Sequence, residues 1–267
     1  HRAPEKPRGM VSTSAILRMG PSSARPAWRR TLVAGLRTVA LALVLALGVR
    51  IFVAEPFSIP TTSMLPALLP GEHLLVLKYP YGYGGASLPW VRSPGTGRVG
   101  LILPARGDAI VFADPADGGS NFVKRVVGLP GEVVAISNGV VSIDGTAATR
   151  TRLPDFSYPA PADTACRPGR QVGDTCVHRR DLETLPGAET AILPYRGRGA
   201  DYGPVTVPEG HLFVLGDNRG GSLDSRFGIP DGGFGHVPLG HVIGRAGPIF
   251  YSSGEDGIRW DRLGARP

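Results

Sequence analysis

Serine and lysine are the residues through which this chain of 267 residues could do chemistry, because the commoner templates are missing. There is no G-x-S-x-G elbow, no H-E-x-x-H helix, no G-x-x-x-x-G-K-[ST] loop, and no G-x-G-x-x-G opening a helix after a strand. Three segments gather the reactive types instead: Ile59–Glu72 (IPTTSMLPALLPGE), Asn121–Glu132 (NFVKRVVGLPGE) and Leu215–Gly228 (LGDNRGGSLDSRFG). A serine hydroxyl attacks a carbonyl at neutral pH only when a base within hydrogen-bond reach takes its proton. Lysine can be that base if desolvation or a neighbouring positive charge lowers its pKa by several units from ~10.4.

Composition narrows the choice of base. Of 29 basic residues only Lys6, Lys78 and Lys124 are lysines, and arginine cannot stand in because it does not deprotonate in proteins. Lys78, beside Tyr79-Pro80, reads as a solvated strand end. Lys124 shares one face of an alternating strand with Phe122 and Val126, which suits burial, and Arg125 faces the other way. A histidine base in a Ser-His-Asp triad is the competing reading, since triads are recognised by geometry and not by order. His73, His178, His211, His236 and His241 are its candidates, none in a distinctive setting. Each segment also has a bland reading: Pro60 and Pro66 shape a loop, Gly128–Gly131 a turn, Gly216-Asp217-Asn218 a strand end.

Together, in this order, and behind an apolar segment, the three blocks resemble the bacterial type I signal peptidases, the Ser/Lys endopeptidases that remove signal peptides from exported proteins. The resemblance runs from about Thr31 to Ala246. It implies Ser63 in the S-M-x-P run as nucleophile, Lys124 in the K-R-V-V-G-x-P-G-E run as general base, and Ser222 as the hydroxyl that orients the lysine. It implies Asp224 and Arg226 as supporting residues; read from the residues alone, the two make a scaffold ion pair and not a catalytic dyad. Thr61 falls where many relatives carry Ser, as the hydroxyl that joins the Ser63 N–H in an oxyanion hole. Ile59, Met64 and Leu65 are taken as pocket residues by proximity to Ser63 alone.

The elements that must position these groups begin with residues 31–54, read as a transmembrane helix. Val39 to Val49 is an unbroken apolar stretch between Arg37 and Arg50, whose long side chains can snorkel to headgroups. Before it, residues 1–30 form a basic tail, read as disordered, with seven cations against Glu5. Such a bias places the N-terminus in the cytoplasm and everything after the helix outside the cell membrane, a single pass. A cleaved secretory signal is the alternative; for a cut after Ala54 the −3 residue is Phe52, too large for the usual small-x-small site, and Ala46-Leu47-Gly48 offers a weaker one.

Residues 55–267 read as a mainly β, antiparallel extracytoplasmic peptidase domain, because Gly 38 and Pro 26 break helices and favour turns. Strands are expected at His73–Tyr79, Asp108–Phe112, Phe122–Val127, His211–Leu215, His241–Ile243 and Ile249–Tyr251. A hairpin is expected over Glu132–Ile143, centred on Asn138-Gly139. Between about 150 and 208 the periodicity fades into an inserted cap region holding Cys166 and Cys176, a pair able to close a disulfide.

From Ile51 onward 20 basic residues meet 21 acidic ones, so the net charge of +7 belongs to the tail and not to a nucleic-acid footprint. The expected partners are signal-peptide-bearing preproteins and membrane lipid, with no nucleic acid and no obligate protein partner. No metal or cofactor is called for. About nine residues separate the helix end from Ser63, a reach of about 32 Å at most, which puts the site near the membrane surface. Two other readings stand beside this one: a self-cleaving repressor, which would begin with a helix-turn-helix, and a non-catalytic membrane-anchored β-domain binding envelope proteins or wall polymers.

Overall fold

The computed structural model describes residues 27–88, 97–100, 102–116, 118–159, 175–195, 201–254 and 257–267. Helix α1, Ala27–Phe52, is rich in Ala, Leu and Val and holds no proline. Residues Trp28–Phe52 make it long and apolar enough to cross a membrane, with no part of it buried. At ~1.5 Å per residue the span is about 38 Å. Its one mid-helix hydroxyl, Thr38, bonds back to Ala34 O at 3.1 Å and so leaves no bare donor. The helix starts four residues before the expected boundary and stops two before it, because Ala54 onward is taken by strand pairing. The expected tail, apart from its last residues, lies outside the described residues.

After the helix the described chain is mainly β. Strand β1 (Ala54–Ile59) pairs antiparallel with β2 (Glu72–Leu77) in a register that joins Ile59 to Glu72, so the twelve-residue span between them loops out with Ser63 in it. Glu72, buried at the loop's exit, accepts from Leu69 N at 2.8 Å and Arg262 Nε at 2.7 Å, which closes the loop on itself. Strands β3 (Ala109–Ala113) and β4 (Asn121–Gly128) form a hairpin that sets Ile110 opposite Lys124.

The Asn138-Gly139 hairpin is present as β5 (Val133–Ser137) and β6 (Val140–Ile143), with φ of 48° and 76° at the two turn residues. Those are the positive values a two-residue turn of this hand demands. Next come β7 (Thr149–Pro159), β8 (Thr175–Leu185) and β9 (Ala188–Ile192), which form a three-stranded sheet of their own. The cap region is therefore regular β structure, not fading periodicity, although 160–174 and 196–200 fall outside the described residues. Strand β10 (Tyr202–Thr206) pairs with β5, so the insertion ends before 208.

Strands β11 (His211–Leu215) and β12 (Val242–Gly254) join the main sheet, whose longer strands run β1-β2-β12-β3-β4-β11, with the short strands Val237–Pro238 on β11 and Gly257–Ile258 on β12. The two runs expected at 241–243 and 249–251 are one strand, β12, with register shifts around Gly247-Pro248. Apolar side chains of β2, β3 and β12 pack with Ile59, Met64 and Leu68 beneath the Ser63 loop. A second cluster joins Ile110, Phe112, Val126, Val214 and Phe234 around the lysine strand.

Lys78 corrects an expectation. It is fully buried, with Nζ 2.5 Å from Ser87 O and 3.1 Å from Glu55 Oε2. The inward parity of Glu72, Leu74 and Val76 continues into residue 78, and Glu55 on β1 supplies the counter-charge that burial requires.

Candidate active site

Alternation along β4 sends Lys124 to the same side as Val126, into the apolar cluster, and leaves it 3% exposed. Its Nζ lies 2.9 Å from Ser63 Oγ and 3.1 Å from Val123 O. Ser63 is itself buried in the loop between β1 and β2, its carbonyl held by Asn218 N at 3.1 Å. Thr61 Oγ1 stands 3.3 Å from Ser63 Oγ. Burial pushes the Lys124 pKa down to about 8, against the pull of Asp224 and Asp217, which favour its charge. A lysine so tuned is neutral in about one molecule in ten at pH 7 and about half at pH 8.

The third segment wraps behind this pair. Asp224 is buried and accepts from Gly216 N at 3.0 Å, while Arg226 forks onto its two oxygens at 2.8 and 2.9 Å. Arg226 Nη2 also donates to Arg219 O at 2.8 Å and Ser222 O at 3.2 Å, so the ion pair cross-ties its own loop. Gly216 lies between Ser222 and the Ser63 backbone: a methyl added there would sit 2.3 Å from Ser222 Oγ and 2.6 Å from Ser63 O. The Ser222 hydroxyl is turned to Leu223 O at 3.3 Å and not to Lys124.

Arg125 points away from Lys124 and is buried against Asp217, with Nε and Nη2 at 2.7 and 2.6 Å from its carboxylate. That pair, together with Gly216, Asn218 and Phe234, was missed by sequence reasoning. The adjacency of Arg125 to Lys124 and of Asp217 to the Ser222 block was the available signal.

The three residues named for the pocket are all buried. Ile59 and Met64 are buried in the core beneath the loop, and Leu65 is buried in a separate cluster with Tyr158, Cys176 and Leu193. Met64 and Leu65 present no surface, because consecutive residues of a tight loop anchor it on opposite sides. Cys176 is disulfide-bonded, and Cys166 lies outside the described residues.

The five candidate histidines have other partners. His73 meets Phe250 and Tyr251, His178 stacks on Tyr158, and His236 packs on Phe213. His211 bonds Glu209 O and His241 bonds Ala113 O. The titratable group beside Ser63 Oγ is the Lys124 amine.

With this geometry in hand, comparison with known proteins is specific. The family described as signal peptidase, peptidase S26, matches residues 32–251. Signal peptidase I of Rickettsia typhi is 33% identical over 221 residues, 78% of this chain and 76% of the relative. Signal peptidase I of Rickettsia prowazekii is 32% identical over 226 residues, 80% and 78% of the two chains. A crystal structure of a signal peptidase I from Enterococcus faecalis V583 is 30% identical, with a TM-score of 0.29, covering 54% of this chain and 97% of that one.

Proposed function

The chain belongs to the signal peptidase family, peptidase S26, and removes signal peptides as a serine peptidase; we propose that it does so through Ser63 and neutral Lys124. The observation that carries this is the 2.9 Å approach of Lys124 Nζ to Ser63 Oγ inside an apolar cluster. Neutral Lys124 accepts the Ser63 proton as Oγ bonds to the scissile carbonyl carbon. The resulting oxyanion takes hydrogen bonds from the Ser63 N–H and the Thr61 hydroxyl, each donor of this kind being worth about 3 kcal/mol. Lys124 then gives its proton to the leaving amine and, neutral again, activates the water that releases the acyl group.

Ser222, Asp224 and Arg226 support this pair. Ser222 orients the lysine by a rotation of its hydroxyl away from Leu223 O, and the Asp224–Arg226 pair holds the loop that carries it.

The substrate is an extended segment of a preprotein that adds to a sheet edge. Strand β4 is paired by β11 only from Arg125 onward, so Asn121–Lys124 keep one edge unpaired beside the nucleophile. Strand β1, which runs into the Ser63 loop, is itself an edge strand. Helix α1 anchors the enzyme in the cell membrane by a single pass, and the basic residues before it keep the N-terminus cytoplasmic and the peptidase domain outside. Membrane lipid is then its second partner, with no nucleic acid and no obligate protein partner.

The deciding experiment is cleavage of a purified preprotein by the wild type beside Lys124→Ala and Ser63→Ala. Loss of cleavage in both folded variants supports the dyad; cleavage retained in either removes it.

A further inference from the structure

The three-stranded sheet carries a buried carboxylate that the mechanism above does not use. Alternation along β8 turns Asp181, Glu183 and Leu185 inward, and Glu183 is 1% exposed. Its Oε1 accepts from Arg150 Nη2 at 2.8 Å and from Arg219 Nη1 at 3.0 Å, while Oε2 accepts from Arg219 Nη2. Arg219, 5% exposed, belongs to the loop that wraps behind Ser63.

Arg219 is held from three directions. Its N–H donates to Leu193 O at 2.9 Å, its carbonyl accepts from Arg226 Nη2 at 2.8 Å, and its side chain is the Glu183 partner. Leu193, just past β9, also donates to Asp217 O at 2.9 Å and so brackets Asn218 in a short parallel bridge. Asn218 N donates to Ser63 O at 3.1 Å and its side-chain amide to Thr62 O at 3.2 Å. A continuous path of hydrogen bonds and one peptide link therefore joins Glu183 to the backbone of Ser63. Leu65, packed on Tyr158 and Leu193, ties the same loop to the same sheet a second way.

We propose that Glu183 is a positioning residue for the nucleophile: by fixing Arg219 it holds Asn218 under the Ser63 carbonyl and so keeps Ser63 Oγ on Lys124 Nζ. The inserted sheet is then part of the catalytic apparatus and not an appendage. This rests on the Ser63 and Lys124 reading above. Removing Glu183 leaves the buried Arg219 without its carboxylate, and removing Arg219 leaves Glu183 held by Arg150 alone, so in either case the loop that Arg219 carries is released from the sheet.

The test uses the full chain in detergent micelles and a purified preprotein, with kcat and KM measured well below each variant's own unfolding midpoint. Glu183→Gln and Arg219→Gln are each expected to lose about tenfold to a hundredfold in kcat, with KM within about twofold of wild type. The double variant should lose no more than the worse single one, because both cut the same link. Asp155→Asn, which breaks the exposed Arg152–Asp155 pair on the same sheet, should leave kcat unchanged. A lowered unfolding midpoint with wild-type kcat in Glu183→Gln overturns the proposal, as do additive losses in the double variant. Should Glu183→Gln fail to fold, wild-type kcat in Arg219→Gln overturns it from the other end. Lys124→Ala in the same assay separates the two readings: undiminished cleavage there breaks the dyad, whereas a dead Lys124→Ala beside an unimpaired Glu183→Gln breaks this inference alone.

Discussion

Lys124 Nζ lies 5.8 Å from the centroid of the Phe234 ring, and that ring packs in turn on Phe122 at 4.5 Å and Phe112 at 5.2 Å. The three aromatics come from β3, β4 and the segment before residue 237, so tertiary folding brings them together over the amine. A ring at this distance gives a protonated lysine some cation–π attraction. Its larger effect is to exclude water, and burial is the leading cause of the lysine's lowered pKa.

Cleavage should therefore rise with pH as neutral Lys124 appears, with a midpoint near pH 8 in kcat/KM. Phe234→Ala should admit water and move that midpoint upward by about one unit, toward the ordinary lysine value. The pH profiles of the two proteins check this. An unmoved midpoint would remove Phe234 from the tuning, and one near 6.5 in the wild type would point to histidine.

The same burial has a cost in stability, and its sign is fixed. The folded lysine titrates near 8 and the unfolded one near 10.5, so the unfolded chain binds more protons between those values and stability rises with pH across that window. Below pH 8 the charged form is disfavoured in the fold by about 3 kcal/mol. Lys124→Met, apolar and of similar length, should abolish cleavage yet raise the unfolding midpoint at pH 7. Its advantage should shrink as pH rises from about 8 to 10.5. Thermal unfolding of both proteins at the two pH values measures it; a Met variant less stable at pH 7 would contradict the burial argument.

Much of this site was legible because lysine is scarce in the chain and β4 alternates cleanly, which placed Lys124 inward without any coordinates. The Asn138-Gly139 turn was legible for a similar reason, since few dipeptides accept two positive φ angles. Lys78 was misread, although the parity of Glu72, Leu74 and Val76 already pointed it inward; a charge at an inward position implies a partner, and Glu55 lies 23 residues earlier on the neighbouring strand. Glu183 was hidden because arginines and acids crowd β7 and β8, and which of them turn inward depends on pairing that composition does not encode. The Ser222 hydroxyl and the pocket depend on loop geometry, where no period exists to read.

Thr61→Val tests the oxyanion hole. Valine keeps the shape of threonine and removes the hydroxyl that stands 3.3 Å from Ser63 Oγ. Because Thr61 is exposed, the change should shift stability by less than about 0.5 kcal/mol. It should lower kcat about a hundredfold, the usual loss for one donor, while Thr61→Ser should remain near wild type. Steady-state cleavage and thermal unfolding together separate the two effects, and an undiminished kcat in Thr61→Val would discard the role.

Gly216 gives the most severe geometric test. Its backbone is not in the left-handed region, so alanine meets no torsional objection there. The obstacle is space: the new methyl would lie 2.3 Å from Ser222 Oγ, 2.4 Å from Ser222 Cβ and 2.6 Å from Ser63 O. Gly216→Ala should therefore push Ser222 and the Ser63 carbonyl apart, costing about 1–3 kcal/mol of stability and most of the activity. Pairing it with Ser222→Gly clears the Ser222 Oγ and Cβ contacts and leaves the one with Ser63 O. The double variant should accordingly regain folding stability over Gly216→Ala but not cleavage, as unfolding curves and single-turnover assays would show. Full cleavage by Gly216→Ala would mean that the Ser63 backbone need not stay where Asn218 holds it.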